Sequence, residues 1–271
     1  MKTMRRILAL MGVLILIMMY ILTMIFAVRK DPAARGLFFG SLAATIILPV
    51  LLYAFQIAAR AVKPGKSPVI DAVIFDLGRV LVDFPWEQHA EGLGLTPEGL
   101  DFVRNTIYES PLWKELDRGT MTREGVIRAF AQQAPELEPD IRKYLETIYD
   151  CLVPYPYAEG WLRTLRENGY QIYLLTNWPV GAREEMEKRD ALPFEGLLSG
   201  AIWSCDVGLL KPDPAIFDAL AKRYGLNPAR CVFIDDREEN VEAARSAGYA
   251  AFRFTGFIEA REQLASLGVK N

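Results

Sequence analysis

Apolar and polar positions along the chain fall into two regimes. From Ile7 to Val28 no charge interrupts an apolar run, and a second uncharged run extends from Gly36 to Ala59. Each is long enough to cross a bilayer core as a helix. Only Arg29 to Arg35 lies between them, which predicts a tight transmembrane helix hairpin with spans at about 7–28 and 36–59. A cleaved signal peptide has a shorter apolar core and is not followed by a second span. Pro49 is expected to kink the second helix. Gly36, Gly40 and Ala44, at four-residue spacing, offer a small-residue face to another helix and a route to self-association.

Beyond the linker KPGKSP the period changes. Val69 to Phe75, apolar but for Asp71, predicts a buried parallel strand that delivers Asp76 at its C-terminal end. Segments around Pro97–Tyr108, Thr122–Gln133 and Asp140–Leu152 repeat at the helical period, and none between Asp83 and residue 157 reads as a good strand. Thr122 is a helix cap with Glu124 in the first turn. Strands and helices then alternate. Strands are expected at Tyr170–Leu175, Ala201–Ser204, Cys231–Ile234 and Tyr249–Phe254. Helices are expected at Ala158–Asn168, Arg183–Arg189, Pro214–Tyr224, Glu238–Ala247 and Ile258–Leu267. This rhythm predicts an α/β fold: a Rossmann-like parallel sheet with helices on both faces and a helical insertion after the first strand. The expected domains are a membrane hairpin with a basic linker at 1–66, a core at 67–84 and 158–271, and the helical insert at 85–157.

Charge separates the same parts. Residues 1–66 hold nine of the 31 Lys+Arg and one of the 34 Asp+Glu, which leaves the remainder at −11. Nucleic acid is therefore not an expected partner of the globular part. The flanks outside the two runs carry six basic residues against three in the intervening loop, so both termini are expected in the cytoplasm, the protein being integral to a cell membrane. Three scattered cysteines show neither metal spacing nor a disulfide framework, which suits a reducing compartment.

Several expected strands end in polar residues: Asp76, Thr176-Asn177 and Asp235-Asp236. Lys211 lies in the loop before a helix. Side chains at the carboxyl ends of neighbouring strands converge on one crevice. Adjacent carboxylates are costly without a cation among them, and hard oxygen ligands suit Mg²⁺. A hydroxyl, backbone N–H groups and a lysine are what a phosphate needs, and an aspartate aimed at it can act as nucleophile. Metal-assisted phosphoryl transfer is the chemistry these residues suggest.

The order of the motifs resembles that of the haloacid dehalogenase superfamily of hydrolases, in the branch with a helical cap after the first strand. FDLGRVLVD is similar to its first motif, LLTN to its second, KPDPAIF to its third and FIDDREENVEAARSAG to its fourth, over residues 69 to 256. The resemblance implies that Asp76 is the nucleophile and that Asp76, the Gly78 carbonyl, Asp235 and Asp236 bind Mg²⁺. It also implies that Thr176 and Asn177 hold the phosphoryl oxygens, with Lys211 offsetting their charge. The implied substrate is a small phosphorylated metabolite.

Gly78 departs from the pattern, which has an acid–base aspartate two residues after the nucleophile. The DLG form is similar to that of sugar-1-phosphate phosphatases, whose anomeric oxygen leaves readily. Arg79 is a second departure, read either as a solvated residue or as a contact to an anionic substrate. His89 is read as an ordinary residue of the first cap helix, with replacement of the missing acid as its alternative. Trp178, directly after Asn177, is expected to line the pocket. Two further readings stand beside the phosphatase. One is a dehalogenase of the same superfamily, which needs no metal. The other is a catalytically weak domain that binds a phosphorylated ligand or partner protein at the membrane.

Overall fold

A computed structural model of the chain describes residues 69–271, apart from 109 and 189–191, together with scattered helical positions between Ile17 and Val50. The chain divides into two units, Met1–Gly65 and Lys66–Asn271. Most of the two expected spans, the linker, and Gly36, Gly40, Ala44 and Pro49 lie outside the described residues. Among the described residues no helix is long and apolar enough to cross a membrane.

Five short strands build the second unit's sheet: β1 (Ala72–Phe75), β4 (Gln171–Thr176), β5 (Gly200–Trp203), β6 (Cys231–Asp235) and β7 (Ala250–Arg253). They lie in the order β5-β4-β1-β6-β7, and every pair is parallel. From β1 the chain steps outward through β4 and β5, then crosses back to β6 and β7 on the other side. Beside β1, then, the winding direction reverses, and the crevice at such a switch point is where open α/β sheets bind ligands. Of the expected strand over 69–75, β1 takes in Ala72–Phe75.

Successive β1 residues serve opposite faces, as strand geometry requires. Ala72 and Ile74 join Phe217, Leu220, Phe233 and Ala244 in one hydrophobic cluster, whereas Val73 and Phe75 join Trp161, Leu165, Ile234 and Leu264 in the other. The expected layers of helices on both faces are therefore present.

Between core strands β1 and β4 the chain makes a helical excursion. It leaves through β2 (Val82–Asp83) and returns through β3 (Val153–Pro154), which pair antiparallel. Tyr155 N–H donates to the Leu81 carbonyl (2.9 Å), and the Tyr155 and Tyr157 hydroxyls donate to Asp83 Oδ1 (3.1 Å) and the Val80 carbonyl (2.7 Å). This ribbon was not foreseen, because two-residue strands carry no period to read.

Within the excursion lie α1 (Trp86–Gly92), α2 (Pro97–Phe102), α3 (Pro111–Arg118), α4 (Arg123–Gln133) and α5 (Glu138–Thr147). Thr122 caps α4, as expected, by accepting from Gly125 N–H (3.1 Å). Helix α2 runs on into a π-helical turn at Val103–Ile107. No element was expected over 111–118, yet α3 is a capped helix. Ser110 Oγ accepts from Trp113 N–H (3.0 Å), Pro111 opens the first turn, and Gly119 closes it at φ 77°. In the core, α6 (Ala158–Glu167), α7 (Ala182–Lys188), α8 (Ser204–Val207), α9 (Pro214–Tyr224), α10 (Glu238–Ser246) and α11 (Phe257–Ser266) follow the strands.

Candidate active site

Strand register assembles the site. Phe75 pairs with Leu174 on one side and Ile234 on the other, so Asp76 emerges between the ends of β4 and β6. Asp76 N–H donates to the Ile234 carbonyl (2.8 Å), which holds it level with Asp235. Around this point opens a cavity of about 890 Å³, lined by Asp76, Gly78, Thr176, Asn177, Trp178, Lys211 and Asp236 among others.

Lys211 is the buried cation at its floor. Its Nζ lies 2.8 Å from Asp76 Oδ1 and 2.7 Å from Asp235 Oδ2, with only 1% of its side chain exposed. Burial works against its charge, but Asp235 and Asp76 outweigh that and hold its pKa above the ordinary lysine value. The Lys211 loop is pinned by Asn177, whose Nδ2 donates to the Lys211 carbonyl (3.0 Å) and whose Oδ1 accepts from Lys211 N–H (2.8 Å). The Asn177 side chain is thus a brace between two loops, and its backbone remains the part available to a phosphate.

Carboxylate oxygens of Asp76, Asp235 and Asp236 lie within 4.8 Å of one another. Burial raises the Asp76 pKa to about 7, opposed by Lys211 and reinforced by Asp235 and Asp236. Asp236 is likewise raised, by burial first and by Asp235 next. Three crowded acids of this kind fit a hard divalent cation. The pair at the end of β6 is not equivalent, however. Asp235 is fully buried, its Oδ2 engaged by Lys211 and its Oδ1 accepting from Arg237 N–H (2.9 Å) and Asn240 Nδ2 (2.9 Å). Asp236, partly exposed, faces the cavity.

Trp178 lines the cavity, as expected, and so does Trp113, whereas Trp86 stacks on the lining residue Tyr108 without lining the cavity itself. His89 is turned away: its Nε2 shares a hydrogen bond with Thr147 Oγ1 (3.0 Å), and it is not a lining residue. Arg79 does line the cavity, in a left-handed backbone conformation (φ 58°) that costs a non-glycine residue about 1–2 kcal/mol. Its N–H donates to the Val82 carbonyl (2.7 Å), closing the turn after Gly78.

Sequence reasoning missed Asp117, on α3. It lines the same cavity, takes a hydrogen bond from the Trp113 side chain, and is pushed up to about 7 chiefly by burial. The signals that could have placed it are Ser110-Pro111 and Gly119, the start and stop of its helix. Ser204, fully buried at the start of α8, was missed too. Its hydroxyl donates to the Asp117 carbonyl (2.6 Å) and accepts from Trp178 N–H (2.7 Å), joining the insert to the loop after β4.

Comparison with known proteins agrees with this geometry. The family described as haloacid dehalogenase-like hydrolase matches residues 70–248. Flavin mononucleotide hydrolase 1 of Arabidopsis thaliana is 28% identical, over 76% of this chain and 80% of its own. A phosphoglycolate phosphatase of Pseudomonas putida is 30% identical over 68% of each. A sesquiterpene phosphatase of Aspergillus oryzae is 26% identical, over 72% of this chain and 95% of its own. Among solved structures, a HAD family enzyme of Bacteroides thetaiotaomicron shares the fold at a TM-score of 0.60 and 21% identity, covering 72% of this chain and 98% of that one.

Proposed function

The chain belongs to the haloacid dehalogenase-like hydrolases, and from that footing we propose that it is a Mg²⁺-dependent phosphatase of a small phosphorylated metabolite. The observation that carries this reading is the meeting of Asp76 with Lys211 and Asp236 at the switch point of the sheet. Asp76 is the nucleophile and carries the phosphoryl group as an aspartyl phosphate between two displacements. Thr176 Oγ and the Asn177 backbone N–H hold the equatorial oxygens, and Lys211 offsets their charge. Asp76, Asp236 and the Gly78 carbonyl would hold the cation, while Asp235 positions Lys211 and the loop behind it. When bound, the cation neutralises charge on the phosphoryl oxygens and keeps Asp76 ionised.

A flavin mononucleotide hydrolase, a phosphoglycolate phosphatase and a sesquiterpene phosphatase among the relatives support a phosphatase. Within that class the DLG motif favours a sugar phosphate with a readily departing oxygen. A dehalogenase needs no cation, so the clustered acids favour the phosphatase. The test is hydrolysis of an aryl phosphate by the full chain across a Mg²⁺ titration. Asp76→Asn should abolish turnover, and Asp236→Asn should abolish the Mg²⁺-dependent hydrolysis while leaving the fold intact. Unchanged activity of Asp236→Asn at limiting Mg²⁺ overturns the metal assignment.

The N-terminal unit is proposed to anchor this enzyme in a membrane, with its catalytic part in the cytoplasm. Two long uncharged runs support that reading. So do Met18, Tyr20, Met24 and Val28, apolar side chains at helical positions that protein does not cover.

A further inference from the structure

Hydrolysis of an unactivated phosphate ester requires a proton on the departing oxygen, and a positioned acid contributes about 10²- to 10⁴-fold. Residue 78, two beyond the nucleophile, has no side chain to supply it. Six acidic residues line the cavity, and their engagements sort them. Asp76 is paired with Lys211, and Asp236 belongs to the cation cluster. Asp213 accepts from Ala215 N–H at the start of α9, Glu238 pairs with Arg245, and Glu239 pairs with Arg237. Asp117 is the sixth, and it forms no ion pair among the described residues. It lines the same cavity as the nucleophile, from the insert, within electrostatic reach of Asp76, Lys211 and Arg237.

Its mounting is rigid where it matters. Ser204 grips the Asp117 carbonyl from the core, and the same hydroxyl holds Trp178, next to the phosphate-binding Asn177. Gly119 lets the end of α3 lie against the backbone of Cys205, whose carbonyl stands 2.7 Å from where a Cβ would be. An acid carried by a mobile lid would lack such anchors.

We propose that Asp117 is the proton donor to the leaving oxygen, a role that rests on the phosphatase reading above. Asp76 forms its bond to phosphorus as the ester oxygen–phosphorus bond breaks, and the Asp117 proton passes to the departing oxygen. The products of this step are an alcohol, the aspartyl phosphate and an ionised Asp117. Water then attacks phosphorus and gives a proton to Asp117, the bond to Asp76 breaks, and inorganic phosphate leaves. The acid is half-protonated near neutrality, since burial lifts it to about 7. Besides Asp76, Lys211 and Arg237, Tyr149 and Cys205 are within electrostatic reach of it, and Lys114 and Arg118 line the same cavity.

The experiment compares kcat/KM for an aryl and a simple alkyl phosphate, using the full chain with Mg²⁺. Asp117→Asn should lower the alkyl value by about 10²- to 10⁴-fold and leave the aryl value within a few-fold. The wild-type alkyl-to-aryl ratio should fall as pH rises through about 7 and be flat in the variant. Adding Gly78→Asp should restore alkyl turnover in the variant, for a Cβ there meets only Trp178 Cζ3 at 3.8 Å. Equal losses on both substrates, or none on the alkyl one, overturn the proposal. If the variant does not fold, a pH-independent ratio in the wild type overturns it and a falling ratio supports it. Absence of aryl hydrolysis in the wild type sinks the phosphatase reading itself, and this proposal with it.

Discussion

A single methylene carboxyl can carry opposing duties. Asp117 is buried enough that its folded-state pKa stands near 7, against 3.8 for the free side chain. A carboxyl whose pKa is raised on folding opposes folding once pH passes its unfolded value. That cost is complete above the folded value. Asp117→Asn should therefore stabilise the protein, little at about pH 4 and by up to about 4 kcal/mol at about pH 8. Denaturant unfolding at the two pH values reads this out. A uniform loss of stability would instead mark Asp117 as a structural residue. The same contrast explains why Asp235 and Asp236, alike in sequence, differ in place. Alternation along a strand turns neighbours to opposite sides, so Asp235 meets Lys211 and Asn240 while Asp236 meets the cavity. Sequence named the pair as ligands together; their different directions, set against a loop over twenty residues away, are not written locally.

Elements were legible where a period and two end signals coincide. Helix α9 has the expected bounds, Pro214–Tyr224, since Asp213 caps its start and Gly225 closes it at φ 64°. The five sheet strands were legible as apolar runs, to within a few residues, because a strand buried on both faces shows little else. Helix α3 was not, although its end signals are present. It is short, and its contact with α8, made through the Asp117 carbonyl, spans nearly ninety positions. Its junction with the core gives a test at this scale. Gly119→Ala places a Cβ against the Cys205 carbonyl in a left-handed backbone, the backbone alone costing about 1–2 kcal/mol. The variant should unfold at lower denaturant and, by displacing α3, should lose alkyl-phosphate turnover more than aryl. Full retention of both would show that the end of α3 tolerates movement.

At the scale of the whole chain, charge and hydropathy divide the labour. The part after residue 66 carries 22 Lys+Arg against 33 Asp+Glu, so anionic headgroups should repel it, and the proposed attachment rests on the N-terminal runs. The full chain should stay with membranes through alkaline extraction. A reporter active only outside the cytoplasm, fused after Asn271, should be silent. Release on extraction would remove the anchor, and an active reporter would reverse the orientation. The β2–β3 ribbon has a different bearing. Its antiparallel pairing brings the exit and the return of the insert to within about 5 Å of each other. The helices between them are in effect a cassette that enters and leaves at one seam and meets the core again at Ser204. Another helical block could therefore replace the cassette without disturbing the strands that hold Asp76. The incoming block must still bring its own counterpart to the Ser204 anchor.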